Sequence, residues 1–117
     1  GLAVNSKVML IGQAPGFKEI EVLRPFSWTA GKKLFSWFKG IDINEIDFRT
    51  KIYMTAICRC YPGKKSTTTH GDRVPNKNEI KRCSQWLHAE IELLKPELII
   101  LVGKLAINEF INIKRLD

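Results

Sequence analysis

The chain has 117 residues, 44% of them hydrophobic, with 19 Lys and Arg against 12 Asp and Glu for a net charge of +7. That length holds one small domain rather than two, and the ordinary apolar fraction excludes a wholly disordered chain. The longest apolar run, Leu98 to Val102, is far below the ~20 residues a membrane-spanning helix needs, so no membrane partner is expected. Lys7 to Ile11 (KVMLI) is a nearly continuous apolar run that ends in Gly12, Pro15 and Gly16, the pattern of a buried parallel strand feeding a tight loop. Phe17 to Leu23 is mixed and predicts a short helix. Arg24 to Gly31 (RPFSWTAG) predicts a loop from its Pro, Ser, Thr and Gly content. Lys32 to Lys39 (KKLFSWFK) places Leu34, Phe35 and Phe38 on one face of a helix that Gly40 stops. Ile41 to Thr50 alternates acids with Ile and predicts a short helix or turn.

Lys51 to Arg59 (KIYMTAICR) is rich in β-branched and aromatic side chains and predicts a second strand. Tyr61 to Pro75 is a long polar loop, and loops of that size are uncommon in small domains unless they bind something. Asn76 with Glu79 three residues later has the pattern of a capping box. The helix it starts runs to about Lys95, with Ile80, Cys83, Leu87, Ile91 and Leu94 on one face, and Pro96 ends it. Glu97 to Gly103 (ELIILVG) predicts a third buried strand, and Lys104 to about Ile113 a helix with Leu105, Ala106, Phe110 and Ile113 inward. Strands alternating with helices predict an α/β domain with a parallel sheet and right-handed crossovers. Ligands of such sheets bind beyond the carboxyl ends of the strands. Gly12 to Gly16, Cys60 to Pro75 and the turn at Gly103 are expected there.

A pI near 9.5 points to an anionic partner, nucleic acid first and an acidic membrane surface second. Between Tyr61 and Cys83 six cations face two acids, so over half of the net charge falls there. A solvated basic loop is one reading of this stretch. The other is an edge that tracks phosphates through Lys64, Lys65 and Arg73, which makes binding salt-dependent. Three cysteines are an odd number and too few for a disulfide scaffold, which predicts a reducing, cytoplasmic compartment. Gly1 to Asn5 carries neither the charged nor the apolar part of a secretory signal. A first residue of Gly and a stop at Asp117, just after a helical pattern, predict a fragment of a longer protein.

In Gly12-Gln13-Ala14-Pro15-Gly16 two glycines let the backbone approach a ligand and Pro15 stiffens the turn. A purely structural turn is the competing reading. The loop is not a P-loop, because no Gly-Lys-Ser/Thr follows, nor a dinucleotide fingerprint, because the third Gly is missing. Further along lie Pro25-Phe26 with Ala30-Gly31, Thr55 to Cys60 (TAICRC), Cys83, Leu94-Lys95-Pro96 and Leu98 to Gly103. In this joint order, from about Lys7 to Phe110, the chain resembles the uracil-DNA glycosylase superfamily, nearest to its iron–sulfur-containing bacterial and archaeal branches. Those branches carry a G-E-A-P-G or related loop, a P-F-x-x-x-A-G segment and a strand ending in Cys. A Pro-rich turn, a second Cys on the next helix and an L-K-P-x-x-I-x-x-x-G strand follow.

The resemblance implies a three-layer α/β/α sandwich around a short parallel sheet with its last strand missing, residues 1–117 being a partial domain. It implies a monomeric DNA repair hydrolase that breaks the N-glycosidic bond of uracil or a related deaminated base flipped out of DNA. Gly12, Ala14, Pro15, Gly16, Thr55 and Ala56 then fall on the base-binding segments. Gln13 falls where related enzymes position or activate the hydrolytic water, many of them with an acid; a glutamine orients water but takes no proton. Phe26 falls at the aromatic that stacks on the base, with core packing as its other reading. Ala56 stands where several branches have an Asn that reads the uracil edge. Asp72, near His70 in what reads as an insertion, is a second candidate catalytic group. Its alternative is an Asx-turn or a pair with Arg73.

Cys60 and Cys83 match two ligands of a 4Fe–4S cluster, which needs four thiolates and has no redox step in hydrolysis. Two reduced core thiols are the other reading. Cys58 alternates with Cys60 along the expected strand and reads as a buried apolar residue. The family's other two ligands precede the first strand, where this chain has only Gly1 to Ser6, so the cluster needs two further cysteines. The family also has a His-Pro-Ser type loop whose His supports the departing base. The chain stops at Asp117 before such a segment and His88 lies mid-helix, so little or no activity is expected of the chain alone. The departures at Gln13 and Ala56 leave a second reading, a non-catalytic nucleic-acid-binding module on the same scaffold. A third is an unrelated α/β domain that binds a small phosphorylated ligand at Gly12 to Gly16.

Overall fold

The computed structural model describes residues 5–27, 29–64 and 73–115. Its elements run β1 (Val8–Gly12), α1 (Phe17–Val22), α2 (Thr29–Lys39), α3 (Glu45–Lys51), β2 (Ile52–Ala56), α4 (Lys77–Leu94), β3 (Leu98–Leu101) and α5 (Lys104–Arg115). The three strands form one parallel sheet in the order β2-β1-β3. Val8 pairs with Ile52 on one side and Leu98 on the other, and the register holds along the strand. As the middle strand, β1 has a neighbour at each edge and a helix layer on each face, so a nearly continuous apolar run is what its position needs.

Alternation along β1 builds two cores. Met9 and Ile11 pack with Tyr53, Ile57, Leu87 of α4 and Ala106 of α5. Leu10 faces the other way, with Ile52 and Met54, against Leu34 of α2 and Phe48 of α3. Helices on both faces of a parallel sheet give the three layers. Phe48 sits edge-on to both Phe35 and Phe38, at 5.3 and 4.6 Å between ring centroids, so the spacing on α2 that predicts an apolar face is the spacing that fills this core.

Two helix starts follow from side-chain caps. Asn44 accepts a bond from the Asp47 N–H at 2.8 Å and opens α3. At α4 the box is reciprocal: Asn76 accepts from the Glu79 N–H, and the Asn76 N–H donates to the Glu79 carboxylate, each at 2.9 Å. The carboxyl end of α4 closes at Lys95, whose φ of 45° turns the chain into Pro96.

Several boundaries differ from those expected. Helix α2 starts at Thr29 rather than Lys32, because Gly31 is drawn into the helix where it packs on the backbone of Phe26. Lys51 ends α3 rather than opening β2. Strand β2 stops at Ala56, three residues short of Arg59, and Ile57 and Cys58 instead follow the loop that leaves β1. Among the described residues no helix is long and apolar enough to cross a membrane.

Candidate active site at the carboxyl edge of the sheet

The strand ends are tied together beyond the sheet. The Gly12 carbonyl accepts from the Ile57 N–H at 2.9 Å, and the Gln13 carbonyl from the Cys58 N–H at 3.0 Å. The Ile11 carbonyl accepts from Val102 at 2.9 Å on the opposite side. These bonds hold the Gly12 to Pro15 loop open over a cavity of about 430 Å³, a size suited to a small planar ligand. Gln13, Phe26, Thr55, Ala56 and Arg59 all line it, so the loop after β1 and the aromatic after α1 are two walls of one slot. Gly16 lies just past the cavity, at the N-cap of α1.

Phe26 is held firmly. Its φ of 54° is left-handed, a conformation costly for a bulky side chain. Arg49, buried on α3, stabilises it by donating to the Pro25 carbonyl at 2.8 Å and the Phe26 carbonyl at 3.1 Å. Its Nε donates to Glu45 at 3.0 Å, and its guanidinium lies 4.8 Å from the Phe35 ring centroid. A Cβ on Gly31 would lie 1.7 Å from the Phe26 carbonyl oxygen, so only glycine lets α2 approach that closely. A Cβ on Gly12 would lie 3.1 Å from Cζ of the Phe26 ring. The two glycines thus set where the ring stands relative to β1. Phe26 thus stands across one cavity from the β1 loop. Arg49 was not singled out in the sequence; its only local signal is the spacing Glu45/Arg49 on a short helix.

The β2 wall rests on a carboxylate that the sequence reading also missed. Glu90 of α4, with a side chain 15% exposed, accepts from the Thr55 hydroxyl at 2.8 Å and from the Tyr53 hydroxyl. It pairs with the Arg59 guanidinium as well. Thr55 is therefore at the cavity but its hydroxyl is spent on α4. Ala56 offers the cavity only its methyl and backbone. Burial lowers the pKa of Arg59, and nearby Tyr53 and Cys83 act in the opposite sense. Its Nε is buried and has no hydrogen-bond partner among the described residues.

The cysteines separate by burial, not by strand alternation, since β2 has already ended. Cys58 is in the core and Cys60 is exposed. Burial first, and then contact with Cys83, pushes the Cys58 thiol up to about 12. The half-buried Cys83 Sγ accepts from the Arg59 N–H at 3.5 Å. A four-thiolate cluster needs four such donors. Among the described residues no three His, Cys, Asp or Glu side chains are grouped to hold a metal ion. The described donor set, three thiols of which one is buried in the core, does not fit a 4Fe–4S cluster by itself.

Of the expected phosphate contacts, Lys64 is exposed, with Nζ 5.5 Å from the centroid of the Phe17 ring. Arg73, more than a third exposed, is instead engaged within the protein. Its guanidinium donates to both Glu79 carboxylate oxygens at 2.8 and 2.9 Å, and to the Pro62 carbonyl at 3.0 Å through Nε. With every guanidinium nitrogen engaged, Arg73 braces the loop on α4. Lys65, His70 and Asp72 lie outside the described residues.

A family model for the uracil DNA glycosylase superfamily matches residues 1–116. The chain is 31% identical over 100 residues to a type-4 uracil-DNA glycosylase of Sulfurisphaera tokodaii, covering 86% of this chain and 41% of that protein. It is 32% identical over 96 residues to a type-4 uracil-DNA glycosylase of Pyrobaculum aerophilum, covering 82% of this chain and 43% of the relative. A type-4 uracil-DNA glycosylase of Thermotoga maritima is 26% identical over 114 residues, covering 97% and 54%. The chain spans about half the length of the curated relatives it matches. With nearly its whole length matched, the chain belongs to the uracil DNA glycosylase superfamily.

Proposed function

We propose that residues 1–117 are the base-recognition part of a DNA repair glycosylase that hydrolyses the N-glycosidic bond of uracil or a related deaminated base in DNA. The observation that carries this reading is the single slot walled by the Gln13 loop and by Phe26. A nucleotide flipped from the stack enters it, at a cost of a few kcal/mol that is least for a mismatched base. Its base stacks on Phe26 and meets the backbone of Gly12 to Pro15, with Gly16 just past it. The Gln13 amide orients a water toward the sugar carbon but cannot accept its proton, so another group is the base, with Asp72 the candidate. Asp72→Asn is then expected to lower single-turnover base release by about two orders of magnitude. Ala56 contributes shape rather than a hydrogen bond to base selection. Lys64 and Lys65 supply phosphate contacts, and Arg73 supports them by bracing their loop. The protein acts as a monomer in the cytoplasm. Cys60 and Cys83 serve as cluster ligands only when two further thiolates come from outside this chain, and no step of the hydrolysis passes through the cluster.

The test is single-turnover abasic-site formation by the whole glycosylase that carries these residues, read by alkaline strand cleavage, in duplexes that hold U·G or C·G at one position. The expected result is cleavage confined to the uracil strand and lost in Phe26→Ala, together with tighter binding of the U·G duplex. Equal binding of both duplexes without abasic sites would reject the proposal. Discrimination between them without abasic sites would favour the second reading, a nucleic-acid-binding module, which the amide at Gln13 and the methyl at Ala56 support.

A further inference from the structure

Outside the slot, the segments that leave β1 and β2 meet a second time. Phe17 opens α1 two residues beyond Pro15, and Tyr61 lies two residues beyond Arg59; Pro15 and Arg59 both line the slot. The two rings sit edge to face at 6.0 Å and 61°. Phe17 is 42% exposed, and neither it nor Tyr61 belongs to either core cluster. Helix α1 buries none of its residues. A large aromatic side chain is thus fixed at the rim without adding to the core. Two ammonium groups flank it, Lys64 at 5.5 Å and Lys18 at 5.8 Å from the ring centroid. Lys18 also pairs with Glu21 at 3.5 Å, whereas among the described residues Lys64 has no ion pair, so Lys64 is the cation with more freedom to turn outward.

We propose that Phe17, braced by Tyr61 and flanked by Lys64 and Lys18, is a stacking platform for an unpaired DNA base next to the nucleotide held in the slot. An exposed ring between cations is the arrangement by which single-stranded nucleic acid is held without regard to sequence, the base on the ring and the phosphates on the ammonium groups. A lysine over an exposed ring gains only about 0.5–1 kcal/mol from it, so a phosphate can draw the ammonium group off the ring. The position fits one strand, because the rim lies directly outside the slot on the segments that wall it. Once a nucleotide is flipped, its neighbour loses a stacking partner, and the Phe17 ring replaces it. The inference deepens the proposed function and rests on a DNA strand entering the slot.

The test uses the full chain and a labelled thymine oligonucleotide free of uracil, with anisotropy measured across a salt series. Base release plays no part in the readout, so failure of the platform and failure of the glycosylase reading are told apart. Phe17→Ala is expected to weaken binding about tenfold with an unchanged salt slope, and Phe17→Trp to bind as tightly as the parent or tighter. Phe17→Leu, which keeps apolar bulk but has no ring face, is expected to behave like Phe17→Ala. Lys64→Gln should instead lower the slope of log affinity against log salt by ~0.7, the loss of one phosphate contact on a single strand. Tight binding by Phe17→Trp shows that the site tolerates replacement without misfolding. Parent-like binding by Phe17→Ala or by Phe17→Leu would overturn the platform, as would loss of binding in Phe17→Trp.

Discussion

The left-handed Phe26 is stabilised by its neighbours rather than by its own conformation. Its φ of 54° costs roughly 1–2 kcal/mol in isolation, and the Arg49 bonds to Pro25 and Phe26 offset it. The Gly31 contact is the more exacting device, since a methyl group there meets backbone, which cannot rotate away as a side chain can. Gly31→Ala is therefore expected to destabilise the fold by about 3 kcal/mol, at the upper end of the cost of overpacking, and to displace the ring from the slot. Urea unfolding gives the first number, and loss of discrimination between U·G and C·G duplexes reports the second. A variant with parent-like stability would mean that α2 can move off Phe26 at little cost. A different argument applies to Gln13, which lines the slot but cannot take a proton. Gln13→Glu supplies a base at the same place, so single-turnover base release should rise by about two orders of magnitude. A rate that stays level would remove residue 13 from water activation.

Among the elements, α4 shows how a helix start becomes a loop anchor. Glu79 closes the capping box and also receives the Arg73 guanidinium. The Arg73 bond first, and then the Asn76 N–H, hold the Glu79 carboxyl at about 2, against an ordinary value of 4.5. A carboxyl depressed in the folded state adds stability that is complete above about pH 4.5 and fades as pH falls toward 2. In Arg73→Ala the Asn76 bond remains, so the carboxyl should titrate between these values and the first turn of α4 should fray at a higher pH than in the parent. Carbon NMR of the Glu79 carboxyl across an acid titration checks this, and an unmoved midpoint would show that the brace is weak. The box was legible because Asn76 and Glu79 are three residues apart. The start of α2 was not, because Ala30-Gly31 resembles loop sequence and becomes helical only through contact with Phe26. The end of β2 was masked by composition: Ile57 and Cys58 are as strand-like as the residues before them, and their departure is set by the Gly12 and Gln13 carbonyls. Arg49 and Glu90 act on residues more than twenty positions away, where no local spacing reveals a partner.

At the scale of the whole molecule, the site and the core share one strand. β1 contributes Met9 and Ile11 to one helix layer and Leu10 to the other, and its last residue, Gly12, opens the slot. The apolar run that made β1 legible in the sequence therefore also marks the origin of the site. It could not reveal how the slot's far wall is held, which depends on α3 and α4. This arrangement predicts that the site cannot outlast the fold. Leu10 is fully buried between Leu34, Phe48 and Met54, and Leu10→Ala should cost about 2–5 kcal/mol through lost burial and a residual cavity. Against the total of roughly 5–15 kcal/mol usual for a domain, that is a large fraction. The urea midpoint should fall with an unchanged slope, and loss of DNA binding should coincide with loss of helicity in both parent and variant, because slot and core melt as one unit. Binding lost well before helicity would instead make the carboxyl-edge loops a separately unfolding unit, held by Arg49 and Glu90 alone rather than by the strand beneath them.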